Sequence, residues 1–256
     1  MIEWSDRGIV LAARPHGEDG VIVSLLSAGH GRHSGIVRGG RGKRLRAALQ
    51  PGSLVHATWK ARLEDHLGSL VVELLAGVGG GLLGDRDRLA ALAAACALAE
   101  TVLPERAPQA DVYDATLALL DALAEGGEGA ALVSPLVWAG AFVRWEIGLL
   151  AALGFGLDLS CCAVSGECGD LAYVSPRSGR AVGREAGAPW QARLLALPAF
   201  LLSPAEVPAN AQAVGDGLRL SGYFLEGHVL APQGRGLPAS RQRFVERLRR
   251  WSAADR

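Results

Sequence analysis

The sequence predicts an α+β multidomain chain: a small β-barrel over residues 1–80, then a helical domain over residues 81–256 that carries a small insertion at 158–190. Three observations lead there. Up to residue 78, short β-branched and apolar runs alternate with Gly, Pro, Asp and His, the punctuation of strands and turns. At "GVGGGLLGDRDRL" the composition switches to Ala and Leu at three-to-four spacing, the period of helices. After Gly156 an irregular stretch rich in Gly, Ser, Pro and Cys breaks the helical pattern. With 256 residues, half of them hydrophobic and a fifth charged, the chain can bury a sizeable core.

The barrel strands are "RGIVLAARP", "GVIVSLLSA", "GRHSGIVRG", "SLVHATWKARL" and "LGSLVVELLAG". Five such segments at turn-punctuated spacing suit a closed or nearly closed barrel. Recurrent glycine, at about 1 kcal/mol each in a helix interior, argues against helices there. In "HATWKARL", period-two alternation puts Trp59 on the core side with Ala57 and Ala61, and Lys60 and Arg62 on the other. Three glycines at 79–81 read as a hinge, and Asp85 beyond them as a helix N-cap.

"RDRLAALAAACALAETVLPE" is then a buried helix ended by Pro104. A second, "DVYDATLALLDALAEGG", starts at Asp111 and is stopped by Gly126 and Gly127. A third, "SPLVWAGAFVRWEIGLLAALGFG", opens at Ser134 and Pro135 and is apolar almost all round, the mark of a bundle's central helix. "LDLSCCAVSGECGDLAYVSPRSGRAVGREAGAPW" reads as a hairpin-bearing insertion, "WQARLLALPAFLL" as a short helix, and the remainder as one or two closing helices, the last with arginines on most faces. Its Arg243, Arg247 and Arg250 can share one face.

The formal net charge is zero, so a polyanionic partner must be met by local charge. Residues 1–62 hold ten cations against four acids, residues 81–132 nine acids against three cations, and the last 22 residues seven arginines. The N-terminal stretch carries charges where a secretory signal needs an apolar run, and the long apolar helix is interrupted by Arg144 and Glu146. The expectation is a cytoplasmic chain with no membrane span. Four cysteines, two of them adjacent, do not make a disulfide framework for a chain of this size.

The strongest binding signal is "IVRGGRGKRLRAALQPG". Its glycines and its Arg38, Arg41, Lys43, Arg44 and Arg46 allow backbone amides and long cationic side chains to approach a phosphodiester chain, and the barrel supplies a groove. The cations continue on neighbouring strands at Arg14, Arg32, Lys60 and Arg62. A solvated loop is the alternative. The aromatic platforms that single-strand binders use are sparse here, with Trp4 and Trp59 alone in the region.

Enzyme signatures are missing: the sequence has no GxxxxGK[ST], HExxH or GxSxG, and its six histidines are scattered. His30 and His33 read as surface residues at a turn. "CCAVSGEC" lacks a second thiolate three residues after Cys162, where Ser165 stands, and a later cysteine pair is absent, so no metal site and no cofactor are expected. Small buried thiols in a tight turn are the simpler account.

The order of these pieces resembles the RecO family, bacterial recombination mediators of the RecF pathway. The likeness rests on "GIVLAARPHGEDGVIVSLLSAGHGRHSGIVRGGRGKRLRAALQPGS" from Gly8 to Ser53, on "RWEIGLLAALGFGLDLSCCAVSG" from Arg144 to Gly166, and on the "DLAYVSPRSGRAV" that follows, so it covers essentially the whole chain. It implies an N-terminal OB-fold barrel, a helical domain and a zinc-ribbon-like insertion. Of that insertion's four-cysteine pattern this chain keeps Cys162, with Ser165, Gly183 and Ala186 at the other places. The resemblance further implies a bacterial, nucleoid-associated protein that binds single- and double-stranded DNA, anneals complementary strands, joins RecR and so helps RecA indirectly onto DNA coated by the single-strand-binding protein (SSB). It also implies docking of the acidic, apolar SSB tail on the helical domain, for which Arg144 is the candidate cation and Trp145, Leu149 and Leu150 the candidate walls. An RNA-binding barrel or a non-catalytic protein scaffold are the rival readings.

Overall fold

The computed structural model describes residues 1–79, 82, 84–125 and 134–254. It divides into two compact units, residues 1–131 and 132–256. The composition break at 80 marks where strands give way to helices, while the first compact unit runs on to include the first two helices.

In the first unit, β1 (Ile2–His16), β2 (Gly20–Ser27), β3 (Gly31–Val37), β4 (Leu54–Ala61) and β5 (Ser69–Ala76) close into a barrel of order β1-β2-β3-β5-β4. This is the OB-fold layout of an α+β chain. β1 is long because it serves two partners: its first half pairs with β4 and its second with β2, with a bulge between Val10 and Ala12. Alternation is strict in β4, where Val55, Ala57, Trp59 and Ala61 are buried. Trp59 is a core residue as the pattern indicated, 1% exposed, its indole N–H donating to the Leu67 carbonyl at 3.0 Å.

The barrel closes at a narrow seam. Strands β3 and β5 share one residue pair, Ile36 with Ser69, in parallel. To one side of it, on β3, Arg32 forms a bridge with Glu105. Helix α1 (Arg86–Val102) lies against β1 and is capped by Asp85, whose carboxylate accepts from the Asp87 and Arg88 amides. It ends two residues before Pro104, and α2 (Ala110–Ala124) follows. Gly80, Gly81, Gly126 and Gly127, assigned above to a hinge and a helix stop, lie outside the described residues.

The second unit is built on α3 (Pro135–Ala152), a small sheet of order β7-β6-β8 made from β6 (Leu171–Val174), β7 (Ala181–Gly183) and β8 (Leu195–Ala196), then α4 (Ala211–Phe224) and α5 (Ala239–Ala254). Ser134 caps α3 by accepting from the Leu136 amide. By length and composition α3 could cross a membrane; half of it is buried, as in a bundle's central helix.

Two expectations are corrected here. "WQARLLALPAFLL" is no single helix: Leu195 and Ala196 pair with Val174 and Tyr173 as a sheet edge, and Pro198 separates two short 3-10 turns. The cysteines are not all free thiols, because Cys161 and Cys168 are joined as a disulfide, leaving Cys96 and Cys162 free and buried.

Candidate nucleic-acid interface

The loop from Arg38 to Ser53 leaves β3 as a chain of consecutive turns. Gly39 takes the left-handed conformation at φ +64, and Gly40 is buried against Val21, where a Cβ would lie 2.8 Å from Val21 Cγ2. These two glycines therefore serve turning and close packing. The Gly42 amide donates to the Gly39 carbonyl at 3.0 Å, Leu49 to Leu45 at 3.0 Å, and the Ser53 hydroxyl to Ala47 at 2.8 Å. Ala48 and Leu49 sink into the barrel core. The loop is thus anchored from below and presents its cations outward: Arg38, Arg41, Lys43, Arg44 and Arg46 are all exposed. Among the described residues none of the five has an acidic partner. Five unneutralised cations within nine residues repel one another, and a polyanion relieves that repulsion.

The other four predicted cations are placed differently. Arg14 pairs with Glu100 at 2.8 Å and Lys60 with Glu3 at 2.8 Å, both at the surface, where a phosphate can compete. Arg62 is exposed, with no ion pair among the described residues. Arg32 is structural: its Nε donates to the Leu103 carbonyl at 2.8 Å and its Nη1 meets Glu105 at 3.0 Å.

The "HGR" motif belongs to the same anchorage. Gly31 has φ +64, and a Cβ there would lie 1.9 Å from the Ala107 carbonyl oxygen, so only glycine lets the 103–107 segment lie against β3. The Arg106 amide then donates to the Arg32 carbonyl at 2.8 Å. His30 stacks on Trp4 with ring centroids 4.1 Å apart, which occupies one face of that indole.

His33 is not a surface residue. It is 5% exposed, wedged between Trp4 and Trp59, and neither ring nitrogen has a partner among the described residues. Burial, then the nearby positive charges of Arg106 and His30, push its pKa down to about 4. The unfolded chain protonates it near 6.5, so its neutral form contributes stability above that pH that is lost as the pH falls towards 4. We expect unfolding measured against urea to show roughly 2–3 kcal/mol more acid loss between these values in wild type than in His33→Phe. Parallel pH profiles of the two proteins would refute this.

In the second unit, the residues assigned to the SSB tail do not form an open surface. Trp145, Leu149 and Leu150 are buried, and the Arg144 guanidinium donates to the carbonyls of Phe200, Ser203 and Glu206, holding that loop in place. Burial lowers its pKa from the ordinary value. Their apolar character, read as pocket wall, is bundle core.

The insertion keeps a knuckle-like turn. The Cys162 sulfur accepts from the amides of Gly183 at 3.2 Å, Val164 at 3.4 Å and Ser165 at 3.4 Å. Led by the Gly183 amide, these donors pull the thiol down to about 6. Gly183 and Ser165 offer no thiolate and Cys161 and Cys168 are bonded to each other, so the residues do not fit a tetrahedral zinc.

The sequence reading did not find the buried cluster that ties the second unit together. Glu146 on α3 is fully buried; Arg241 on α5 donates to it through Nε at 2.6 Å and Nη2 at 2.8 Å, and the Ser221 hydroxyl on α4 donates at 2.5 Å. An arginine-rich closing helix was legible, but not which arginine turns inward.

Comparison with known proteins agrees with this architecture. The family model for the Recombination protein O N terminal matches residues 1–77, the barrel, and that for the Recombination protein O C terminal matches residues 83–235. The chain is similar to a DNA repair protein RecO from Rhodospirillum rubrum, 97% identical over 256 residues and the full length of both. It is 50% identical over 251 residues to one from Rhodospirillum centenum, covering 97% of this chain and 96% of the relative, and 49% identical over 252 residues to one from Dinoroseobacter shibae, covering 98% and 99%. A barrel, a helical unit and both family models in one continuous chain leave one conclusion: it belongs to the RecO family of DNA repair proteins.

Proposed function

We propose that the chain is a non-catalytic recombination mediator that binds single- and double-stranded DNA through the Arg38–Arg46 loop, with Arg62 and the exchangeable Arg14 and Lys60 at its margins. One observation carries this: five exposed cations on an anchored loop, without an acidic partner among the described residues. Binding there is phosphate-led, so it is tolerant of sequence and steep in salt.

Annealing follows without a catalytic group. Two strands bound on one cationic surface have their mutual repulsion screened, and base pairing supplies the driving force. Within the cell this activity fits a cytoplasmic, nucleoid-associated mediator that joins RecR and assists RecA on SSB-coated DNA. Docking of the SSB tail is carried over to the second unit as part of the same reading, without the four residues first assigned to it.

The test is binding of a labelled single-stranded oligonucleotide across a salt series, with annealing of its SSB-coated complement. We expect a steep negative slope of log affinity against log salt, together with annealing. Absence of binding at low salt would leave the cations to an acidic protein, and a preference for RNA at matched salt would favour an RNA-binding barrel.

A further inference from the structure

Three of the chain's four cysteines stand close together in the insertion, and DNA binding by the loop needs none of them. Cys161 and Cys168 are joined, closing the turn 161–168, while Cys162 lies inside it as a free thiol, 2% exposed. The turn is its cage. Of the three amides that donate to the Cys162 sulfur, those of Val164 and Ser165 belong to the closed turn and that of Gly183 to β7. The Cys162 backbone is held in the same way, its amide donating to the Glu167 carbonyl at 2.7 Å and its carbonyl accepting from the Gly166 amide at 2.9 Å. All but the Gly183 contact lie within the loop that the disulfide ties off.

A cross-link over so short a span restricts the conformations open to the turn, and cutting it returns that freedom. Cys168 is exposed, so a dithiol can reach the bond. The small sheet does not depend on it: β6 pairs with β7 and β8 through Leu171, Tyr173 and Val174, and Asp158 is tied to Gly179 and Ala181 by backbone hydrogen bonds at 3.0 and 2.8 Å. We propose that this turn is a redox latch over a modification site: while Cys161 and Cys168 are joined Cys162 is sealed, and reduction of that bond by a dithiol opens the turn and delivers Cys162 to small disulfides and alkylating reagents. In the first step the dithiol passes two electrons and two protons to the Cys161–Cys168 bond, giving two thiols, and closes into a disulfide itself. The Cys162 thiolate then attacks one sulfur of a small disulfide, forming a mixed disulfide on Cys162 and releasing one small thiolate. The Gly183 amide, which does most to favour the Cys162 thiolate, belongs to β7 and stays in place when the turn opens.

Labelling of the folded full chain with iodoacetamide, located by peptide mass, tests the latch. In air-oxidised wild type Cys162 is expected to label slowly and Cys161 and Cys168 not at all. After dithiothreitol treatment, and its removal without air, Cys162 is expected to label roughly tenfold faster or more. Cys96 is a silent background in both samples, because burial on α1 pushes its thiol up to about 12. The Cys161→Ser, Cys168→Ser double variant has no latch; it is expected to label at the fast rate without reductant and to take up one glutathionyl group from glutathione disulfide, on Cys162. Tryptophan fluorescence, with Trp138 and Trp145 buried in the second unit, shows whether that unit stays folded, and reduced wild type gives the answer even if the double variant fails this check. Equal Cys162 rates with the latch closed and open, whether both slow or both fast, or free thiols at Cys161 and Cys168 after air oxidation, would overturn the proposal.

Discussion

Alanine at Arg41, Lys43, Arg44 and Arg46 together is expected to lower affinity for single-stranded DNA roughly a hundredfold at low salt, and alike for every sequence. The reason is counterion release. Each cation that neutralises a phosphate contributes about 0.7 to the slope of log affinity against log salt on a single strand, so removing four flattens the slope by about 3. The fold tolerates the change, because all four side chains are exposed and the loop is held by Leu49 in the core and the Ser53 to Ala47 hydrogen bond instead. Wild type and variant are therefore expected to converge as salt rises, with thermal unfolding unchanged. Measuring the two salt series side by side decides the matter: unchanged affinity and slope would remove the loop from the interface. Arg32→Ala is expected to behave differently, costing stability through its lost contacts to Leu103 and Glu105 more than it costs the slope.

That contrast shows what was legible in the sequence. Residue type and local spacing announced the cationic loop, the five strands, the core role of Trp59 and the Asp85 and Ser134 caps, because each of these depends on neighbours along the chain. The partners that decide which cations are free do not. Glu100 lies 86 residues from Arg14 and Glu105 lies 73 from Arg32, distances over which no periodicity carries information. His33 looked like a turn residue since its burial comes from Trp4 and Trp59 on other strands.

Glu146→Ala is expected to destabilise the second unit by about 3–5 kcal/mol, the typical cost of stranding one member of a buried ion pair. Arg241 is 4% exposed and gives two hydrogen bonds to Glu146, at 2.6 and 2.8 Å, so losing the carboxylate leaves a guanidinium with the Leu218 carbonyl and the Ser221 hydroxyl as its remaining partners. The room for that guanidinium is itself encoded: a Cβ at Gly222 would lie 2.9 Å from Arg241 Nη1. Burial opposes the arginine's charge, while Glu146 restores it and raises its pKa above the ordinary value. The pair's net contribution is nevertheless small, because two ions had to leave water to make it. Replacing both partners, with Glu146→Leu and Arg241→Met, is therefore expected to recover most of what Glu146→Ala loses. Urea unfolding of wild type, the single and the double variant measures this directly. A single variant within 1 kcal/mol of wild type, or a double variant no better than the single, would mean that the three helices are held by their apolar contacts alone and that the buried charges are spectators.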